Sequence, residues 1–139
     1  MRVVIDVNVW ISGLLWGGVP RRVLELVKNQ QITIFVSDTL LQEMETTLRR
    51  AKLRPKMQSL GLTVDGLMSQ VKNWVESCPI DSLDVPQLRD PDDTMILATA
   101  IAANAEVIIT GDLDLLILNE FEGIPILTPK NFLTLYFPS

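Results

Sequence analysis

Histidine is missing altogether from the 139 residues of this chain. Its absence excludes Ser-His and Cys-His nucleophilic pairs, imidazole acid–base catalysis and every histidine-ligated zinc or iron site. Cysteine is nearly as scarce. The one thiol, Cys78, cannot close an internal disulfide or supply a thiolate cage. Its place before Pro79 in an apolar stretch predicts a small buried hydrophobe in a reducing compartment. No apolar run approaches the roughly 18 residues needed to cross a bilayer, and Met1-Arg2-Val3-Val4-Ile5 meets an acid at Asp6. Neither a signal peptide nor a membrane span is expected, and the expected location is the cytoplasm. Basic residues are outnumbered 12 to 17, leaving a net charge of −5. General electrostatic adhesion to nucleic acid or anionic membrane is thereby disfavoured, and a phosphate-rich substrate must be admitted by something other than net charge.

Hydrophobic residues at 47% and charged residues at 21% are ordinary for a globular chain. The length suits one domain over residues 1–139. Val3 to Ile5 is a β-branched run that reads as a buried strand delivering Asp6 to its C-terminal end. A glycine-bearing loop from Trp10 to Gly18 is expected next, then a helix opened by Pro20 and carrying Val23, Leu24, Leu26 and Val27. Ile32 to Val36 reads as a second strand. Ser37 and Asp38 offer capping oxygens for a helix to about Arg50, with Leu40, Leu41, Met44 and Leu48 inward. A short turn with Pro55 and Gly61 introduces an amphipathic helix from Thr63 to Ser77, and a polar, proline-containing connector runs from Pro79 to Pro91. Asp92-Asp93-Thr94 then opens an alanine-rich helix, its acids suiting the helix dipole. Val107 to Ile109 is a third strand, Ile124 to Leu127 a fourth, and Pro129 starts a last helix.

Strands alternating with helices predict an α/β fold, a parallel sheet of four or five strands with helices on both faces. Such sheets gather functional groups beyond their strand C-termini. Asp6 ends the first strand, Glu43 lies two turns into the helix after the second, Asp93 starts the helix before the third, and Asp112 follows the third. Carboxylates gathered in a partly dry pocket stay ionised only with a cation among them, and an oxygen-only donor set indicates Mg²⁺ or Mn²⁺. Such ions serve phosphoryl chemistry, polarising the phosphate and lowering the pKa of a bound water. A bound cation also inverts the charge of an acidic surface where a phosphate must sit. Helical periodicity leaves Glu43 and Glu45 both open, because they flank the apolar stripe on opposite sides.

Asp6-Val7-Asn8-Val9-Trp10-Ile11-Ser12 resembles the opening D-x-N motif of the PIN (PilT N-terminal) domain nucleases. Ser37 to Glu43 resembles their strand-to-helix segment with the second acid. Asp90-Pro91-Asp92-Asp93 with Ile96 to Ala100 is similar to the third motif, and Thr110-Gly111-Asp112-Leu113-Asp114 to the fourth. The four occur in order over nearly the whole chain, in forms most similar to the toxin-component branch related to VapC-type ribonucleases. The resemblance implies a Rossmann-like PIN fold, a Mg²⁺- or Mn²⁺-dependent ribonuclease, a cognate antitoxin and a homodimer. By position it implies Asp6, Glu43, Asp93 and Asp112 as catalytic metal ligands, with Asn8 orienting Asp6 or a bound water and Ser12, Ser37, Thr110 and Asp114 supporting them. Asp90 and Asp92 remain alternatives to Asp93, and Asp114 to Asp112.

Arg49, Arg50, Lys52, Arg54 and Lys56 form the densest basic segment, and with Arg21 and Arg22 are candidate RNA contacts. Trp10, Leu14, Leu15 and Trp16 are read as core first, and otherwise as a surface for a base, a second protomer or an antitoxin helix. Two other activities share the ingredients. A phospho-acceptor receiver or partner-binding domain would use Lys130 as its late lysine, and a phosphatase would use Asp6 as a nucleophile.

Overall fold

The computed structural model describes residues 1–80, 88 and 90–138. The elements in chain order are β1 (Arg2–Ile5), α1 (Val7–Leu15), α2 (Gly18–Lys28), β2 (Thr33–Val36), α3 (Asp38–Leu48), α4 (Arg54–Ser59), α5 (Val64–Trp74), β3 (Val75–Ser77), α6 (Pro91–Ala102), β4 (Val107–Ile109), α7 (Leu113–Leu116), β5 (Glu120–Phe121), β6 (Ile124–Leu127) and α8 (Pro129–Tyr136). The connector expected between Pro79 and Pro91 falls largely outside the described residues.

The strands form one sheet in the order β3-β2-β1-β4-β6-β5. Every pairing from β3 through β6 is parallel, and β5 turns back antiparallel on β6. Among the described residues the sheet therefore has six strands, where the sequence predicts four or five. The two extra ones are edge strands of three and two residues, too short to show an alternating pattern. The apolar rhythm continued by Trp74 and Val75 predicts helix as far as Ser77; the chain instead becomes extended at Val75 and pairs with β2.

Val3, Val4 and Ile5 are all fully buried, as are Val107, Ile108 and Ile109. Successive strand residues point to opposite faces, so burial of all three means both faces of the central strands are covered. On one of them α6 packs across β1, β2 and β4. Where a loop is expected from Trp10 to Gly18, α1 runs on to Leu15 and α2 begins at Gly18, with Val7, Val9, Trp10, Ile11, Leu14 and Leu15 of α1 all buried. A helix buried around most of its circumference shows no polar face for periodicity to detect. Gly13 lets α2 come close, since a Cβ there would stand 2.7 Å from Leu24 Cδ1. Cys78 is half-buried rather than fully enclosed, and burial raises its thiol pKa.

β1 lies between β2 and β4, which the chain visits on opposite sides of it. The connections leaving β1 and β4 thus diverge, and a crevice opens beyond their C-terminal ends.

Candidate metal centre

Asp6 leaves the end of β1 with its backbone held from two directions. Its N–H donates to the Ile109 carbonyl at 2.9 Å, and its carbonyl accepts from Val9 and Trp10 at the start of α1. Asp6 occupies the cap position of α1, yet its side chain makes no capping bond. Its Oδ2 instead accepts from the Thr110 hydroxyl at 2.7 Å, and that hydroxyl accepts the Asp112 N–H at 3.0 Å. Thr110 is fully buried and ties the ends of β1 and β4 together.

Asp112 caps α7, its Oδ1 accepting from Asp114 N–H at 2.8 Å. Asp90 caps α6 in the same way through Asp92 N–H at 2.9 Å. Pro91 then fixes the first helical position, and the turn lays Asp93 into the crevice with 4% of its surface exposed. Glu43 comes from the middle of α3, where Thr47 Oγ1 donates to its carbonyl at 2.8 Å and approaches its Oε1 at 3.4 Å.

These groups line one pocket of about 200 Å³, with Asp6, Asn8, Glu43, Thr47, Arg50, Asp90, Asp92, Asp93, Met95 and Asp112 on its walls. Burial pushes the Asp93 carboxyl up to about 7, and the nearby charges that push it further are all acids: Asp112, Asp90, Asp6 and Asp114. Asp6 is also raised, chiefly by burial and further by Asp112, with the Thr110 hydrogen bond opposing the shift. One carboxylate oxygen each from Asp93, Asp112 and Asp114 lies within 4.8 Å of the other two. The crowded hard oxygen donors of Asp93, Asp112 and Asp114, with Asp93 and the neighbouring Asp6 driven toward protonation, fit a divalent cation that would keep the acids ionised.

The four acids singled out in the sequence thus share one pocket, although Asp6, Glu43, Asp93 and Asp112 come from four separate segments. Asn8 and Thr110 stand with them, while Asp114 comes closer to Asp93 and Asp112 than an outer supporting role requires. Glu45 turns toward Arg49 at 3.8 Å instead of into the pocket. Ser37 lies elsewhere, its hydroxyl accepting from Leu40 N–H and bonded to Thr99 at 2.9 Å. Ser12 is half-buried in α1 and is not on the pocket wall.

The basic candidates scatter. Arg21 donates to the Gly13 and Leu14 carbonyls at 3.0 and 3.3 Å, tying α2 to α1. Arg22 and Lys130 line a separate cavity of about 360 Å³ beside α8. Arg49 binds Asp65 at 2.8 Å and, with Arg54, borders a groove of about 260 Å³. Lys52 is exposed, and Lys56 sits 5.6 Å from the ring centre of Trp16. Trp10 is fully buried, whereas Trp16 is 56% exposed. Arg50 alone of this group enters the acidic pocket. Thr47 also lines the pocket and carries no motif of its own; the signal for it is its place four residues after Glu43, which puts the two on one helix face.

A mostly parallel sheet with an acid-lined pocket beyond its central strands defines a class of α/β protein with the donors for a hard cation. Residues 2–114 match the family model of the PIN domain, and the chain belongs to the PIN-domain family. An uncharacterized protein of Methanocaldococcus jannaschii is 30% identical over 142 residues, covering 96% of this chain and 90% of that protein. A chain of the crystal structure of VapBC2 from Rickettsia felis, bound to a DNA fragment from their promoter, shares the fold. It superposes with a TM-score of 0.58 at 16% identity, covering 91% of this chain and 97% of that one.

Proposed function

We propose that this protein is a Mg²⁺- or Mn²⁺-dependent endoribonuclease that hydrolyses phosphodiester bonds, and the toxin component of a toxin–antitoxin pair. The observation that carries the reading is the convergence of Asp6, Glu43, Asp93 and Asp112 on one pocket, with two of them pushed toward protonation. Asp93 and Asp112, with Asp114 beside them, would hold the cation, with Asp6 and Glu43 on the same pocket wall. When bound, the ion supplies Lewis-acid polarisation of a phosphate and a water acidic enough to attack near neutral pH. The chain's own part is to keep those oxygens in place. Thr110 fixes the rotamer of Asp6, the α6 cap sets Asp93, and the α7 cap commits one oxygen of Asp112 to backbone N–H groups, leaving the other for the ion.

The fold shared with a chain of VapBC2 supports an antitoxin partner encoded alongside, and a homodimer is proposed with it. No helix among the described residues is long and apolar enough to cross a membrane; a cytoplasmic location is proposed with the nuclease reading.

Lys130, the lysine a receiver domain would need beside its acids, faces a different cavity with Arg22, which disfavours the phospho-acceptor reading. An Asp6 phosphatase would leave Glu43 without a role, and trapping of a phosphorylated Asp6 would restore that reading. The test of the nuclease is Mn²⁺ calorimetry and RNA cleavage with wild type, Asp6→Asn and Asp93→Asn. Both variants should fold, bind Mn²⁺ at least about tenfold more weakly and lose cleavage. Undiminished cleavage by both would remove the mechanism.

A further inference from the structure

One basic side chain among the described residues lines the acidic pocket, that of Arg50. Its backbone is fixed on both sides: the N–H donates to the Thr47 carbonyl at 3.2 Å, and the carbonyl accepts from Leu53 N–H at 3.0 Å, opening a single 3₁₀ turn over Ala51–Leu53. Among the described residues the guanidinium has no hydrogen-bonding partner: its donors face none within reach. Nη2 stands 3.9 Å from Glu43 Oε1, beyond hydrogen-bond reach, and the Arg50 side chain is 51% exposed. An ion pair so long and wet contributes little. Its neighbour Arg49 differs, being committed to Asp65 at 2.8 Å.

A planar guanidinium with unused donors matches the oxygens of a phosphate, which it grips at about 2.7–2.9 Å, far closer than its present distance from Glu43. Neutralising the pocket's acids would loosen the remaining pull of Glu43 on Arg50. We infer that Arg50 recognises the substrate phosphate at this site: its guanidinium leaves Glu43 and binds a non-bridging oxygen of a nucleic-acid backbone beside the bond to be cut. This assignment rests on the nuclease reading. It gives an acidic protein one local cation at the place where a polyanion must enter.

The experiment compares wild type, Arg50→Met and Arg50→Lys on a fluorescein-labelled, single-stranded RNA of mixed sequence in Mn²⁺. Initial cleavage rate and zero-time anisotropy are read against concentration, and Mn²⁺ binding without RNA is read by calorimetry. Arg50→Met should bind Mn²⁺ at least as tightly as wild type, because a like charge has gone. Its kcat/KM on RNA should fall about 100-fold, with Arg50→Lys in between. Cleavage and RNA binding by Arg50→Met within about threefold of wild type would overturn the assignment. So would Mn²⁺ affinity falling in step with cleavage, which would make Arg50 merely a support for Glu43. If the probe is bound but not cut, the anisotropy titration decides alone, and equal affinities overturn the assignment. Wild type that binds neither Mn²⁺ nor RNA would bring down the nuclease reading and this assignment together, an outcome distinct from the others.

Discussion

Asp93 concentrates the pocket's electrostatic cost in one residue. Its folded pKa of about 7 stands above the unfolded carboxylate value, so the folded state binds the extra proton. The stability it contributes is full below the unfolded pKa and is lost as pH rises through about 7. Thermal melts in EDTA should therefore show a midpoint that falls between about pH 4 and pH 7 and levels off above it. Asp93→Asn should flatten that fall and melt higher than wild type at the alkaline end. Mn²⁺ affinity should rise over the same interval, because the ion competes with the proton for the carboxylate. A metal-free wild type whose melting point is flat across this range would contradict the crowding of acids. Thr110 is the second residue to test. Thr110→Val removes the donor to Asp6 and the acceptor of Asp112 N–H at once, inside a fully buried position. Urea unfolding should register a loss of about 1–3 kcal/mol, and calorimetry a weaker hold on Mn²⁺.

Among the elements, α1 follows directly on Asp6, and Gly13 is a point where α1 and α2 approach closely. Gly13→Ala would press a methyl group to 2.7 Å from Leu24 Cδ1 and 3.2 Å from the Pro20 backbone. Overpacking there should cost about 1–3 kcal/mol by chemical denaturation, with Mn²⁺ affinity less affected than by Asp93→Asn. Ser37 acts on α3, the helix that carries Glu43. Ser37→Ala removes its cap and the bond to Thr99, for an expected loss of about 1 kcal/mol by urea melt. These elements also show what local sequence conveys. α6 was readable because two acids, Asp92 and Asp93, stand before an alanine-rich apolar run, all of them local signals, although its first residue, Pro91, was expected in the connector. α1 was not, because a helix wrapped by protein has no polar stripe. β3 and β5 were not, because two or three residues carry no period and are extended only by pairing with a neighbour.

For the molecule as a whole, the cation and the fold are thermodynamically linked. Any ion that binds only the folded pocket stabilises it, by about 2.7 kcal/mol when free ion is 100 times Kd. Mn²⁺ should raise the melting midpoint of wild type, EDTA should reverse the gain, and Asp93→Asn should show little of it. The sequence by itself determined the alternation of strand and helix, the family motifs and the acids themselves, because each is written in adjacent residues or in a short period. Helical periodicity could not separate Glu43 from Glu45, which only the family motif favoured, and no local signal could say that Ser37 bonds Thr99 rather than the acids, or that Arg50 stands among them while Arg21 braces α1. Those are matters of side-chain direction across the crevice beside β1, where segments far apart in the chain meet. Only the packing of α1, α3 and α6 around the sheet fixes that direction, since a helix must turn its apolar face inward and its charged side chains go where that rotation leaves them.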